Sequence, residues 1–276
     1  MRPAPALRVA LLVAYDGTAF AGFQSQVNGR AVQDVLEAAV ERLYAVRPRV
    51  RGAGRTDAGV HALGQVVSFD LEDEALARRL PLERLGPALD SQLPEDVRVL
   101  GARAAAQSFD PRRALSKTYR YRLLVRPAPC PLRRHFVWHL ERPLDLEAMR
   151  QAAVPLVGRH DFSAFAAASG DHRTSVRGLS EIAIAPAPDD EVTVDITADG
   201  FLYHMARNIV GTLVEVGRGR RPPAAAETAL HGRRREDAGP TAPARGLCLM
   251  TVRYAAPHEG RWLRARPGAH MATEIR

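Results

Sequence analysis

Arg51-Gly52-Ala53-Gly54-Arg55-Thr56-Asp57-Ala58-Gly59-Val60-His61 is the stretch on which the fold turns. Gly52, Gly54 and Gly59 fall within eight positions and let the backbone turn where side-chained residues resist it. A strand-like run follows at Gln65-Val66-Val67-Ser68-Phe69, and a weaker one precedes at residues 46–50. The pattern predicts a loop between two strands, with Asp57 as its one carboxylate and Arg51 and Arg55 beside it.

Working outward, residues 7–15 are apolar and β-prone and stop at the turn signal Asp16-Gly17. Val32, Val35, Leu36, Ala39, Val40, Leu43 and Tyr44 recur at three- and four-residue spacing, which predicts a helix with one apolar stripe. Strands are expected over 46–51 and 64–71, on either side of the glycine loop. A second helix is expected over 76–89, interrupted or restarted at Pro81 and Pro87, and a strand over 97–102. This order is βαββαβ, the ferredoxin-like arrangement.

The order then repeats without any residue-level repeat. A strand is expected over 118–125 and a helix over 146–157. Ile182 and Ile184, then Val192, Val194 and Ile196, predict two strands separated by residues 186–190. A helix over 203–216 carries Met205, Ile209, Leu213 and Val214 on one face. A short helical piece near 224–230 and a last strand over 246–254 complete the set. The predicted class is α+β with two ferredoxin-like halves, 7–105 and 106–256, joined near 104–115. Tails lie at 1–6 and 257–276, the second poorly ordered unless it docks.

The chain has 276 residues, 46% hydrophobic and 25% charged, as expected of a globular protein with two domains of ordinary size. Its net charge of +8 and pI of about 10.2 direct attention to an anionic partner. Lys117 is the only lysine, so arginine supplies nearly all the positive charge. Cys130 and Cys248 have neither CxxC spacing nor a Cys/His cluster, which argues against a zinc site or a disulfide framework. No metal is expected. Residues 1–6 are too short for a signal peptide and no apolar run approaches membrane-spanning length, so the expected location is the cytoplasm.

Three stretches carry candidate chemistry. The glycine loop is not a P-loop, because no Gly-Lys-Ser/Thr follows, and Asp57 at the third position of a dinucleotide fingerprint would repel a pyrophosphate. Turn statistics alone allow an ordinary hairpin. The flanking guanidinium groups instead favour a charged, nucleophilic carboxylate. No second carboxylate stands at glycosidase-like spacing, and His61 reads as a structural histidine. In the second stretch, Phe109-Asp110-Pro111-Arg112-Arg113 precedes Ser116-Lys117-Thr118-Tyr119-Arg120-Tyr121-Arg122. Basic residues interleaved with aromatics suit nucleic acid, with cations on phosphates and rings on bases. An aromatic core face backed by a solvated basic face is the competing reading, expected to hold for one of the two tyrosines. In the third, Arg207 opens a largely apolar helix; a partly buried arginine needs an anionic partner, and Asp57 is the expected one.

Gly54-Arg55-Thr56-Asp57-Ala58-Gly59-Val60-His61-Ala62 resembles the signature of the TruA family of tRNA pseudouridine synthases. So do Tyr15-Asp16-Gly17, Gly22-Phe23-Gln24, Val32-Gln33, Leu93-Pro94, Tyr119-Arg120-Tyr121, Asp161-Phe162 and Met205-Ala206-Arg207-Asn208-Ile209-Val210-Gly211. The matches run in family order over residues 7–254. The resemblance implies two ferredoxin-like halves in one extended, mostly antiparallel sheet, with helices on one side and a central cleft. It implies isomerisation of uridine to pseudouridine in the anticodon stem-loop of tRNA, at positions 38, 39 and 40. Asp57 matches the catalytic nucleophile and Arg55 the arginine of base flipping. Tyr119 matches the ring that stacks on the target base, and Arg207 the partner of the carboxylate. Phe109-Asp110-Pro111-Arg112-Arg113 and Ser169-Gly170-Asp171-His172-Arg173 match tRNA-contacting segments. The family acts as a homodimer and needs neither metal nor organic cofactor. Phe20, Phe23, Ala206 and Ser175-Val176 depart from the tyrosine, tryptophan, valine and Pro-Trp usual there, which bears on substrate preference rather than on the catalytic assignment. The competing class is a non-catalytic tRNA-binding chaperone on the same scaffold, which has no need of the Arg55-Thr56-Asp57 triplet.

Overall fold

The computed structural model describes residues 7–73, 78, 80–167, 173–256, 258 and 262. They form an α+β fold with ten strands in open, mostly antiparallel sheet and five α-helices. The described residues divide into two compact units, one of residues 7–115 with those from 249 onward and the other of residues 116–248.

In the first unit, β1 (Leu7–Tyr15) lies between β3 (His61–Leu71) and β4 (Val97–Ala105), antiparallel to both. A strand paired on both edges and covered on both faces needs no polar alternation. Accordingly Val9, Ala10, Leu11 and Val13 are all 0% exposed. The short β2 (Arg51–Gly52) pairs with β3 at Ser68 and Val67. Residues 46–50 are not a strand: Glu37 accepts from the Val50 amide and Gln33 donates to the Val50 carbonyl, so side chains take the place of a ladder. Helix α1 (Val32–Tyr44) follows the predicted stripe, burying Val32, Leu36, Ala39, Val40 and Tyr44. It ends at Ala45 in the left-handed region, whose amide reaches Glu41. Helix α2 (Leu82–Asp90) begins after Pro81 and tolerates Pro87 within it, whereas positions 76, 77 and 79 of the predicted 76–89 helix lie outside the described residues.

The connecting segment and the returning last strand belong with this unit. Phe109 and Ala114 pack with Ala10, Ala53, Val66 and Tyr254 in one apolar cluster. Strand β10 (Leu247–Arg253) adjoins β3, giving the order β4-β1-β3-β10. The connecting residues Phe109, Pro111 and Ala114 pack with the first unit, and the compact units divide at 115/116 where the sequence suggested 105/106. Beyond β10, Trp262 and Phe109 flank Arg103, whose guanidinium lies 4.9 and 5.0 Å from the two ring centres.

In the second unit, β5 (Ser116–Val125), β9 (Glu191–Ala198), β8 (Val176–Ala187) and β7 (Gly158–Asp161) run in the order β5-β9-β8-β7. Strand β6 (Trp138–Leu140) pairs parallel to β5. The sequence reading missed β6 and β7, which are too short to show alternation. Helix α3 (Leu146–Ala153) is capped by Asp145, whose carboxylate accepts from the Ala148 amide at 2.9 Å, and passes into a 3-10 turn at Val154–Leu156. Helix α4 (Met205–Gly217) is buried along most of its length, and α5 (Ala225–Gly232) follows. No helix among the described residues is long and apolar enough to cross a membrane.

Candidate active site

The glycine loop is held from three sides. Ala53 donates its amide to the Val66 carbonyl at 2.8 Å, and the Gln65 side-chain amide donates to the Gly54 carbonyl at 2.9 Å. The Thr56 hydroxyl lies 2.8 Å from the Tyr15 hydroxyl, in a buried pair that ties the loop to the end of β1. The Thr56 carbonyl accepts the Phe23 amide at 3.0 Å, and the Gly59 amide reaches the Phe20 carbonyl. Residues 15–23 thus form the seat of the loop.

Two glycines make this seating possible. Gly22 has φ +115°, and a Cβ there would stand 2.8 Å from the Thr56 carbonyl oxygen. Gly52 faces the Phe23 ring, which would lie 2.5 Å from an added Cβ. The departure to phenylalanine at 23 therefore sits directly beneath the loop. The loop closes by a turn in which the Val60 amide donates to the Asp57 carbonyl at 3.1 Å, with Gly59 at φ +77°.

The outcome is an ordered alternation of exposure. Thr56 and Val60 are 5% and 2% exposed, Arg55 and Ala58 face solvent, and Asp57 is half-buried between them. His61 is buried. Its Nδ1 accepts the Gly17 amide at 3.0 Å and lies 3.1 Å from an Asp16 carboxylate oxygen.

In the second unit, Tyr119 sits on β5 opposite Ile196, 6% exposed, with its ring edge-on to Phe201 at 4.9 Å. Tyr121, on the same face, is a core residue. Its hydroxyl donates to the Pro243 carbonyl at 2.7 Å, and burial pushes its pKa far above the usual range. On the opposite face, Arg120 makes two 2.8 Å hydrogen bonds to Asp195, and Arg122 and Arg133 both reach Glu191 at 2.7 Å. These cations, expected at phosphates, are engaged with carboxylates of the same unit.

Arg207 occupies the first turn of α4, after His204 in the left-handed region at φ 62°. Its Nε donates to the Ala242 carbonyl at 2.8 Å, and its own carbonyl accepts the Ala242 amide. The neighbouring Asn208 is 0% exposed and makes three hydrogen bonds through its side chain. It donates to the Phe165 carbonyl at 2.7 Å and accepts from Thr241 at 2.6 Å and Arg235 at 3.1 Å. Gly211 lets the helix backbone meet the Pro240 carbonyl, where an added Cβ would stand at 1.7 Å. Asn208 and residues 235–242 thus hold the turn that carries Arg207. Sequence reasoning passed over this set, which falls between the helical piece expected near 224–230 and the strand expected over 246–254.

The remaining predicted contact residues divide by exposure. Phe109 is 2% exposed, edge-on to Tyr254 at 5.1 Å, so its ring belongs to the core rather than to a contact surface. Pro111 is buried, and its carbonyl accepts the Tyr254 hydroxyl at 2.8 Å. Asp110 grips Arg112 with 2.7 and 3.0 Å bonds, which hold the carboxyl below its usual range, while Arg112 and Arg113 face solvent. Arg173 is exposed; Ser169, Gly170, Asp171 and His172 lie outside the described residues. Asp57 and Arg55 belong to the first unit and Tyr119 and Arg207 to the second, so the expected Asp57–Arg207 pair remains an expectation.

Comparison with known proteins bears on the whole chain. A family model described as tRNA pseudouridine synthase matches residues 11–112 and 152–255. The protein named tRNA pseudouridine synthase A of Myxococcus xanthus is 47% identical over 248 residues, 90% of this chain and 92% of that one. Proteins of the same name from Pelobacter propionicus and Thermus thermophilus are each 45% identical, covering 89% and 90% of this chain and 99% and 96% of their own lengths. Both the glycine loop and the start of α4 fall inside the matched regions, and on this evidence the chain belongs to the TruA family of tRNA pseudouridine synthases, which are isomerases.

Proposed function

We propose that this protein isomerises uridine to pseudouridine in the anticodon stem-loop of tRNA, at positions 38, 39 and 40, with Asp57 as the nucleophile. The observation that carries the reading is the division of the loop: Thr56 and Val60 anchor it inward, while Asp57 is half-buried and Arg55 exposed. A plain turn has no need for such a seat.

The reaction breaks the C–N glycosidic bond, turns the uracil and forms a C–C bond from C5. Nothing is oxidised or hydrolysed, so the chemistry calls for neither metal nor redox cofactor. The Asp57 carboxylate acts covalently, either at the base or at C1′ of the sugar. A base within a stem must first be extruded, and Arg55 fills the vacated space. Tyr119 then stacks on the flipped uracil, and Arg207 pairs with the Asp57 carboxylate. The exposed Arg112, Arg113 and Arg173 meet backbone phosphates, with Ser169, Gly170, Asp171 and His172 beside the last. Phe109 and Pro111 anchor the first of these segments, and Asp110 orients Arg112. The protein works as a homodimer in the cytoplasm.

The test uses an unmodified tRNA transcript carrying tritium at uracil C5. Tritium release without free uracil supports the isomerase. Binding without tritium release indicates a chaperone, and release of free uracil a hydrolase; either outcome overturns the proposal.

A further inference from the structure

Lys117 shares its face of β5 with Tyr119 and Tyr121, since alternate residues of a strand point the same way. It stands opposite Ala198 of β9 and is half-buried. No ion pair links it to a carboxylate among the described residues, although every nearby arginine of β5 has one. Across the sheet Arg177 of β8 lies within Coulomb reach. Its hydrogen bonds go to the Thr174 and Val176 carbonyls, both at 2.8 Å. Its Nε would stand 3.3 Å from a Cβ at Gly200, one residue before Phe201, the ring that packs on Tyr119. Among the described residues, the carboxylate that acts on Arg177 is Asp199. It is already occupied by the Gly178 amide at 2.9 Å and by Arg159 at 3.5 Å.

Arg159 and Arg177 share one carboxylate and Lys117 lies within Coulomb reach of Arg177, which leaves a local excess of positive charge. Burial and the Arg177 charge both push the Lys117 pKa down. Burial likewise lowers Arg177, with Arg159 adding to the effect and Asp199 opposing it. A partly desolvated ammonium facing a like charge is unfavourable, and folding alone gives no reason to keep it. An arriving anion removes the penalty. The glycines at 178 and 200 make room for these side chains: a Cβ at Gly178 would stand 2.9 Å from an Asp199 carboxylate oxygen, and one at Gly200 3.3 Å from Arg177 Nε.

We infer that Lys117 and Arg177 form a phosphodiester subsite beside Tyr119, holding a backbone phosphate next to the nucleotide whose base stacks on that ring. The inference rests on the tRNA reading above and adds to it a specific contact. Arg120 and Arg122 cannot supply that contact, being bound to Asp195 and Glu191. The subsite fixes the sugar–phosphate of the extruded nucleotide while the base turns. A positioned phosphate is what keeps the sugar in place once the glycosidic bond is broken.

The experiment measures binding of an anticodon stem-loop RNA as a function of salt, for wild type and for K117Q, K117R and R177Q, alongside their melting temperatures. Loss of one phosphate contact lowers affinity on the order of tenfold and makes the salt slope shallower by about 0.7–0.9. Both changes are expected in K117Q, and K117R is expected to retain the wild-type slope. K117Q should melt at or above the wild-type temperature, because an unpaired, half-buried charge has been removed. An RNA with one neutral methylphosphonate beside the target uridine should weaken wild type, at one of its two flanking positions, and leave K117Q no weaker. An unchanged slope in K117Q overturns the subsite, as does a fall in its melting temperature with affinity retained. A wild-type protein that binds no tRNA overturns the functional reading itself, so the two failures are distinguishable.

Discussion

The Tyr15 and Thr56 hydroxyls meet at 2.8 Å in the interior, one at the end of the first strand and the other next to Asp57. Through this contact the central strand of the first unit sets the depth at which the carboxylate sits. Thr56→Val keeps the shape but leaves the buried Tyr15 hydroxyl without that partner, at a cost of about 1–3 kcal/mol. Urea denaturation should show the loss. Turnover should fall by a larger factor than RNA affinity, and an equal fall in both would mean that the contact is structural only.

Gly22 leaves no room for a side chain, with φ +115° and the Thr56 carbonyl 2.8 Å from an added Cβ. Gly22→Ala combines backbone strain with a backbone clash, so about 2 kcal/mol or more of stability should be lost. Gly219 offers the control: its φ is +69°, but nothing lies within 4 Å of an added Cβ. Gly219→Ala should cost about 1 kcal/mol. Equal melting temperatures for the two variants would show that the loop seat yields.

Asp57→Asn should abolish tritium release while leaving tRNA binding largely intact, since only the proposed nucleophile is changed. Arg55→Ala and Tyr119→Leu should remove catalysis with modest loss of affinity. Single-turnover rates are the deciding measurement, and rates near wild type would refute the assigned roles.

Asn208 makes side-chain hydrogen bonds with Phe165, Thr241 and Arg235. Asn208→Leu leaves these partners unsatisfied in a buried site, and a stability loss of about 2–4 kcal/mol is expected. Arg207 is held to Ala242 in the same segment, so kcat should fall more than KM rises at temperatures where the variant is folded. An unaltered kcat in folded Asn208→Leu would separate the network from the chemistry.

Asp90 closes α2 and accepts the Val99 amide at 2.7 Å. Burial raises its pKa above the ordinary carboxylate value. With the folded pKa above the unfolded one, its favourable contribution is present below the unfolded value and lost as pH rises through the folded one. At neutral pH the charge is therefore a penalty, and Asn keeps the acceptor without it. Asp90→Asn should melt at or above wild type at pH 7, with the difference narrowing toward pH 4. A lower melting temperature at pH 7 would mean that attraction to Arg98 outweighs burial.

Local periodicity made most of the fold legible. β1 and α1 occupy the residues their apolar patterns indicate, because a buried central strand and a one-faced helix each leave a strong signal. The three-residue β6 left none, and residues 46–50 looked extended but have side-chain partners in place of a strand ladder. At the site, the loop and Arg207 were legible as chemistry-bearing residue types. Phe109 was not legible as a core residue, because a ring beside arginines reads equally well as a stacking platform.

By itself, then, the sequence determined the longer strands and helices, the identity of the loop that carries Asp57 and the family to which the chain belongs. Tertiary structure alone decided which side chains of that loop turn inward, which arginines are spent on Asp195 and Glu191, and how residues 235–242 hold the turn of Arg207. The physical reason is range. Periodicity and turn chemistry act over a few residues, whereas Tyr15 meets Thr56, and Arg120 meets Asp195, only once distant strands have settled into register.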